Sequence, residues 1–284
     1  MDVDAELLHR ARSLLSGELE PVPPRAAATV ALIRDGAGGP EVYLLRRRPK
    51  LAFAAGMYVF PGGSVDASDL EQRTPDAPWA GPGPKIWAGW FGTDERTAAG
   101  LVRAAVRETF EEAGVLLASS VSENPATASA APLPGDPATS SIIGNRPTTE
   151  VSETERADLE AGRISLRDLL IRHALVLRAD RMAPLQHWIT PELEQRRFDT
   201  RFFVAALPPG QEPREAGTEA DLRVWLRPAE ALRADLTLMP PTRAALSELA
   251  RYATVAEALA AEREIRVVQP GFEVVGDRVR IVRD

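Results

Sequence analysis

The chain contains no cysteine. That excludes disulfides, thiolate nucleophiles and cysteine-based zinc or iron–sulfur sites. Histidine is scarce as well: His9, His173 and His187 lack ligand spacing and read as structural. Lysine is nearly missing, since Lys50 and Lys85 are the only two among 34 basic residues. Those basic residues are scattered along a chain of net charge −7, so the concentrated positive surface that nucleic acid demands is not expected. No apolar run approaches the length of a membrane-spanning helix, and Met1-Asp2-Val3-Asp4 carries acids where a secretory leader carries bases. The expectation is a cytoplasmic protein with neither nucleic acid nor membrane as partner. Its arginine and alanine richness is associated with GC-rich bacterial genomes.

What is present suits a globular protein: 284 residues, 44% hydrophobic and 26% charged, enough for one large domain with an appendage. Apolar spacing over 4–16 predicts a leading helix (1–21), ended by Pro21, Pro23 and Pro24. Ala26–Ile33 and Glu41–Arg46 read as a hairpin, and Met57–Phe60 as a short strand running into Pro61-Gly62-Gly63. Residues 70–92, with four prolines and Trp79, Trp87 and Trp90, read as an irregular but packed insertion. A long helix is expected from an N-cap at Thr93 to Gly114. Residues 119–150 lack periodicity and read as a mobile loop. Helices are predicted over 153–161, 165–178 and 242–264. Strands are expected at 185–189, 198–207 (central, apolar on both faces) and 222–226, with a tail hairpin pairing 265–268 and 278–282. The main domain would span 22–234, and 235–284 would be a helical extension. This order predicts an α/β sandwich.

The sharpest signal is Arg107-Glu108-Thr109-Phe110-Glu111-Glu112-Ala113-Gly114-Val115. On a helix, Glu108, Glu111 and Glu112 fall within one arc of about 100°. Crowded like charges destabilise a helix unless a cation joins them, and Mg²⁺ takes carboxylate oxygens while leaving places for phosphate and water. The bland reading is a solvated acidic face. Ala99, Val102, Val106, Phe110 and Ala113 form the core stripe, Ala104 and Ala105 are expected to leave room for a ligand, and Arg107 can pair with Glu111.

Together with Gly63, these residues resemble the box of the Nudix hydrolases: Gly, five residues, Glu, seven residues, then Arg-Glu-U-x-Glu-Glu-x-Gly-U, with U apolar. Asp69 stands in place of the first Glu, Thr109 replaces one U, and 37 residues rather than seven separate Asp69 from Arg107. An inserted loop that long costs little closure entropy. The split box, Phe60-Pro61-Gly62-Gly63-x-x-Asp66, Trp188-Ile189-Thr190-Pro191 and Arg196-Arg197-Phe198-Asp199-Thr200 resemble the branch of peroxisomal coenzyme A diphosphatases and bacterial relatives. Between Leu44 and Gly63 the coenzyme A motif is followed only loosely.

The resemblance implies a Nudix-type α/β/α sandwich with a mixed sheet, an insertion inside the box and the helical C-terminal extension. It implies Mg²⁺ or Mn²⁺ on Glu108, Glu111, Glu112 and the Gly62 carbonyl, with Arg107 orienting them. Glu108, or a loop acid such as Glu215 or Glu219, would take the proton from water. The implied reaction converts coenzyme A or acyl-CoA to 3′,5′-ADP and a 4′-phosphopantetheine. ADP-ribose, a dinucleotide or a nucleotide sugar is the alternative, and a non-catalytic nucleotide-sensing module the reading from another class. Arg46, Arg47, Arg48 and Lys50, with Gly63, Asp199, Arg201 and Glu219, are candidate substrate contacts. A homodimer is left open.

Overall fold

The computed structural model describes residues 3–49, 54–120, 151–214 and 220–282. Helix α1 (Val3–Ser16) precedes β1 (Arg25–Gly36) and β2 (Gly39–Arg47). The two strands pair antiparallel from Ile33↔Val42 to Gly36↔Gly39, which is the expected hairpin. Away from that turn the strands part. The fork is filled by β3 (Tyr58–Val59) on β2 and by β4 (Gly62–Ser64) on β1, so the Phe60-Pro61-Gly62-Gly63 turn lies inside the sheet.

The insertion is more regular than its prolines suggested. It holds β5 (Trp79–Ala80) and α2 (Pro84–Phe91). Pro84 sits at the first helical position, where its missing N–H costs nothing, and so it starts a helix instead of breaking one. Trp87 and Phe91 are buried against Phe203 of the central sheet, with ring centroids 5.3 and 5.1 Å from it. Burial of each such ring contributes about 1.5–3 kcal/mol.

Helix α3 (Glu95–Ala113) carries the acidic motif. Its cap is Asp94 rather than Thr93: the Asp94 carboxylate accepts from Thr97 N at 2.9 Å. Gly114, at φ 66°, takes the left-handed turn that ends it. Ala104 and Ala105 are fully buried in the core. They leave no room for a ligand, contrary to expectation, and instead let neighbouring elements pack closely.

The chain continues through β6 (Ala118–Ser120), α4 (Glu153–Glu160) and α5 (Leu166–Arg172) to β7 (Leu175–Arg178). Residues 121–150, most of the expected loop, lie outside the described residues. The predicted helix over 165–178 is cut short because Ala174 adopts φ 50° and the apolar Leu175-Val176-Leu177 run pairs with β5 and β6. Next come β8 (Met182–Ile189), β9 (Phe198–Ala206), β10 (Ala220–Leu226) and α6 (Pro228–Arg233). The predicted helix over 242–264 is two helices, α7 (Pro240–Leu249) and α8 (Val255–Ala260), because Thr254 caps a new start by accepting from Glu257 N. Strand β11 (Val267–Val268) pairs parallel with β8, and the tail hairpin is β12 (Gly271–Val275) with β13 (Arg278–Val282), not 265–268 with 278–282.

The main sheet runs β10-β2-β1-β9-β8-β11, with β9 central as predicted and parallel to β1. Strand alternation assigns its faces. Val30, Leu32, Tyr43, Leu45 and Phe203 join α2 and α3 in one core, while Ile33, Leu44, Phe202 and Val204 join α7 and α8 in the other. Helices on both faces of a mixed sheet make an α/β/α sandwich. Among the described residues, no helix is long and apolar enough to cross a membrane.

Candidate active site

Arg107 is the hub of the acidic motif. Its guanidinium, almost wholly buried, donates to Glu108 Oε1 at 2.9 Å, Glu111 Oε2 at 3.1 Å, Asp69 Oδ2 at 2.9 Å and the Ser64 carbonyl at 2.8 Å. The expected Arg107–Glu111 pair therefore exists, and Asp69 joins it from across the insertion. Asp69 is itself fixed by accepting from Asp66 N at 2.9 Å. Arg156 reaches in from α4 and donates to the Glu111 carbonyl at 2.9 Å.

The glycine turn meets the helix directly. Gly62 N donates to Glu112 Oε2 at 3.0 Å. A Cβ on Gly63 would run into the Glu108 carboxylate, and one on Gly62 would meet the Ala28 carbonyl and Thr29. Glycine at 63 lets the turn touch the helix, and glycine at 62 lets it lie close against β1. Helix α3 packs on one face of the sheet, whereas Thr29, Phe198, Thr200 and Phe202 belong to the other. The side-chain-free turn in the fork is a window between the faces. Through it Glu108 and Glu112 reach a cavity of about 600 Å³, which Gly62, Gly63 and Thr29 also line.

Glu108, Glu111 and Asp69 thus crowd round one guanidinium, and Glu112 is held by the Gly62 amide. Burial pushes the Glu108 and Glu111 carboxyls up to about 7, even with Arg107 beside them. Burial opposes the charge of Arg107 too, but its hydrogen bonds to Asp69 and the surrounding carboxylates hold it above its ordinary value. The surplus of buried acid is what a hard divalent cation would neutralise, and all-oxygen donors are what Mg²⁺ and Mn²⁺ prefer. As the side chains stand, no three acidic or imidazole groups among the described residues enclose a metal position. The carboxylates are turned to Arg107 and Gly62 N instead.

This surplus has a measurable consequence. A carboxyl whose folded pKa is raised contributes stability that is full below the unfolded value, near 4.5, and is lost as pH rises through about 7. In EDTA the melting temperature should fall between pH 5 and 8, by the equivalent of about 2 kcal/mol. Mg²⁺ should restore stability more at pH 8 than at pH 5. Calorimetry of the Glu108→Gln variant is the control: a pH profile as steep as that of the unaltered protein would rule this account out.

No family model matches the chain. It is similar to the acyl-coenzyme A diphosphatase NUDT19 of Xenopus laevis, 26% identical over 76% of this chain and 61% of that protein. The human protein of that name is 30% identical over 78% of this chain and 63% of its own length. The chain thus spans a little over three fifths of these curated relatives. Its fold matches the crystal structure of a Nudix hydrolase from Alicyclobacillus acidocaldarius with a TM-score of 0.64 and 27% identity, covering 86% of this chain and 99% of that one. The chain belongs to the Nudix hydrolase superfamily.

On the Nudix framework the predicted residues divide. Glu108, Glu112, Gly62 and Gly63 face the cavity together, while Glu111 and Arg107 stand behind them. Arg46 is turned away to Asp221 at 2.8 Å, and Arg48 is exposed and outside the cavity lining. Asp199 and Arg201 lie on the opposite face of β9 from the lining residues Phe198, Thr200 and Phe202. There Asp199 binds Arg201 and His187, each at 2.5 Å, and these contacts outweigh burial to hold its carboxyl below the usual range. Lys50, Glu215 and Glu219 lie outside the described residues.

Of the basic run, Arg47 does line the cavity, and lining residues not singled out as contacts include Arg196, Thr190, Trp188 and Phe198. The signal for several of them was period 2: the even positions of Phe198–Phe202 share a face that excludes Asp199 and Arg201.

Proposed function

We propose that this protein is a divalent-metal-dependent Nudix diphosphatase that hydrolyses a nucleoside diphosphate-linked compound, with coenzyme A or acyl-CoA as substrate. The observation that carries the reading is the window in the sheet, where Glu108 and Glu112 meet Gly62 and Gly63 at the cavity wall. Mg²⁺ or Mn²⁺ would be held by Glu108, Glu112, Glu111 and the Gly62 carbonyl, and would supply charge neutralisation at the diphosphate oxygens. Arg107 holds the carboxylates in place. Glu108, facing the cavity, accepts a proton from water as the water oxygen bonds to one phosphorus. The anhydride P–O bond breaks and its oxygen departs on the other phosphate. Arg47 and Arg196, on the same cavity, suit the anionic groups of the substrate. The names of the curated relatives support coenzyme A over other diphosphates. A cytoplasmic location belongs to the same proposal.

The test is purified protein with Mg²⁺ or Mn²⁺ and a panel of coenzyme A, acyl-CoA, ADP-ribose, a dinucleotide and a nucleotide sugar. The expected result is 3′,5′-ADP from the coenzyme A compounds. Turnover of ADP-ribose with coenzyme A untouched would overturn the substrate. No turnover of any member would favour a non-catalytic module.

A further inference from the structure

The cavity beside Glu108 and Glu112 is not uniformly polar. Beside the polar Thr190, Glu194 and Arg196, its walls include Trp188, Phe198, Met239, Pro240, Pro270 and Ile281. Two of these come from the very end of the described chain. Pro270 leads into β12, and Ile281 lies on β13, paired with Phe272. The hairpin is a sheet of its own, separate from the main sheet. A two-stranded hairpin is at best marginally stable alone. This one leans on α1, where Arg12 binds Asp277 at 3.1 Å and the Gly276 carbonyl at 3.3 Å.

Ile281 lines the cavity and yet is 48% exposed. A half-exposed branched aliphatic side chain at a cavity wall is stabilised whenever apolar matter covers it. A diphosphate cannot do that. An acyl chain at the far end of the pantetheine arm can, when the diphosphate is seated at Gly62 and Gly63 and the arm spans the cavity, with Trp188, Phe198 and Met239 completing the apolar surface. Most ligand sites show this division: a few polar groups fix orientation and a larger apolar wall carries contact area.

We propose that the C-terminal hairpin, through Ile281, is the specificity-determining wall for the acyl chain of the substrate, so that it sets how strongly acylated coenzyme A is preferred over the unacylated form. The inference rests on the diphosphatase reading for its turnover assay but not for its binding assay, which keeps the two separable. The full chain and its Ile281→Glu and Ile281→Ala variants are compared on hexadecanoyl-CoA, below its micelle concentration, and on coenzyme A. With Mg²⁺, the ratio of kcat/KM on hexadecanoyl-CoA to that on coenzyme A should fall at least about tenfold in Ile281→Glu, mainly through KM. It should fall less in Ile281→Ala, which shortens the wall without placing a charge against the chain. In EDTA, calorimetric titration should show the same loss of preference in binding. Equal effects on both ligands would overturn the inference, because Ile281 would then contact a part of the substrate common to both. Equal binding of the two ligands by the unaltered protein would overturn it as well. If nothing is hydrolysed while the binding preference and its loss are seen, the diphosphatase reading falls and the apolar wall stands.

Discussion

Replacing Glu112 by Gln will lower kcat/KM by at least about a hundredfold while leaving the melting temperature within about 2 °C of its starting value. The amide keeps the shape of the side chain, and its oxygen can still accept from Gly62 N, so the turn stays docked on α3. What disappears is a negative charge facing the cavity. Glu111→Gln is the instructive contrast. Its carboxyl is buried on Arg107 behind the cavity wall, where burial already disfavours its charge, so activity should fall while stability in EDTA at pH 8 holds or rises. Steady-state kinetics and thermal melts on both variants separate the roles, and wild-type kcat/KM in Glu112→Gln would refute the metal-site assignment.

Arg107→Met should be the most destabilising single change in the site. The substitution fills similar volume but leaves Asp69, Glu108 and Glu111 buried without their shared cation. Breaking a buried ion pair from one side costs about 3–5 kcal/mol. Urea unfolding at pH 7 should show a loss of that size with the slope unchanged. The loss should shrink at pH 5, because protonating Glu108 and Glu111 removes the repulsion that the arginine had balanced. A loss below about 1 kcal/mol, or one independent of pH, would mean that the carboxylates find other partners and that Arg107 is not the hub.

Local chemistry was readable in the sequence wherever one element decided it. The three glutamates on one helix arc, Gly114 as its stop and the β1–β2 hairpin all depend on spacing within a few residues. Long-range pairing was not readable. Arg46 and Arg47 are neighbours, and strand alternation alone puts Arg46 on the cavity's face with Val42 and Leu44; the ion pair of Arg46 with Asp221 on β10 turns it away, and Arg47 lines the cavity instead. The same holds for Asp199 and Thr200, whose faces are fixed by register with β1 and β8. Pro84 misled because a proline breaks a helix interior but suits its first turn. Ala104 and Ala105 misled because small side chains serve close packing as readily as an open pocket. The tail hairpin was expected, but its partner strand was misplaced, since Val267–Val268 found an edge on β8 that no local pattern foretells.

Arg103, next along α3 from the motif, binds the Asp69 and Glu71 carbonyls at 3.0 and 3.2 Å and the Asp76 carboxylate at 2.5 Å. The outgoing end of the insertion is thereby fastened to the helix at its root, while Asp94 fastens the returning end as the helix cap. Everything between those two fixings is tied off from the carboxylates. The two halves of the site behave as one local unit although the chain makes a long excursion between them. The excursion is therefore a graft point, where the exposed stretches can change in length while Trp87 and Phe91 keep α2 in the core and the geometry at Arg107 keeps its place.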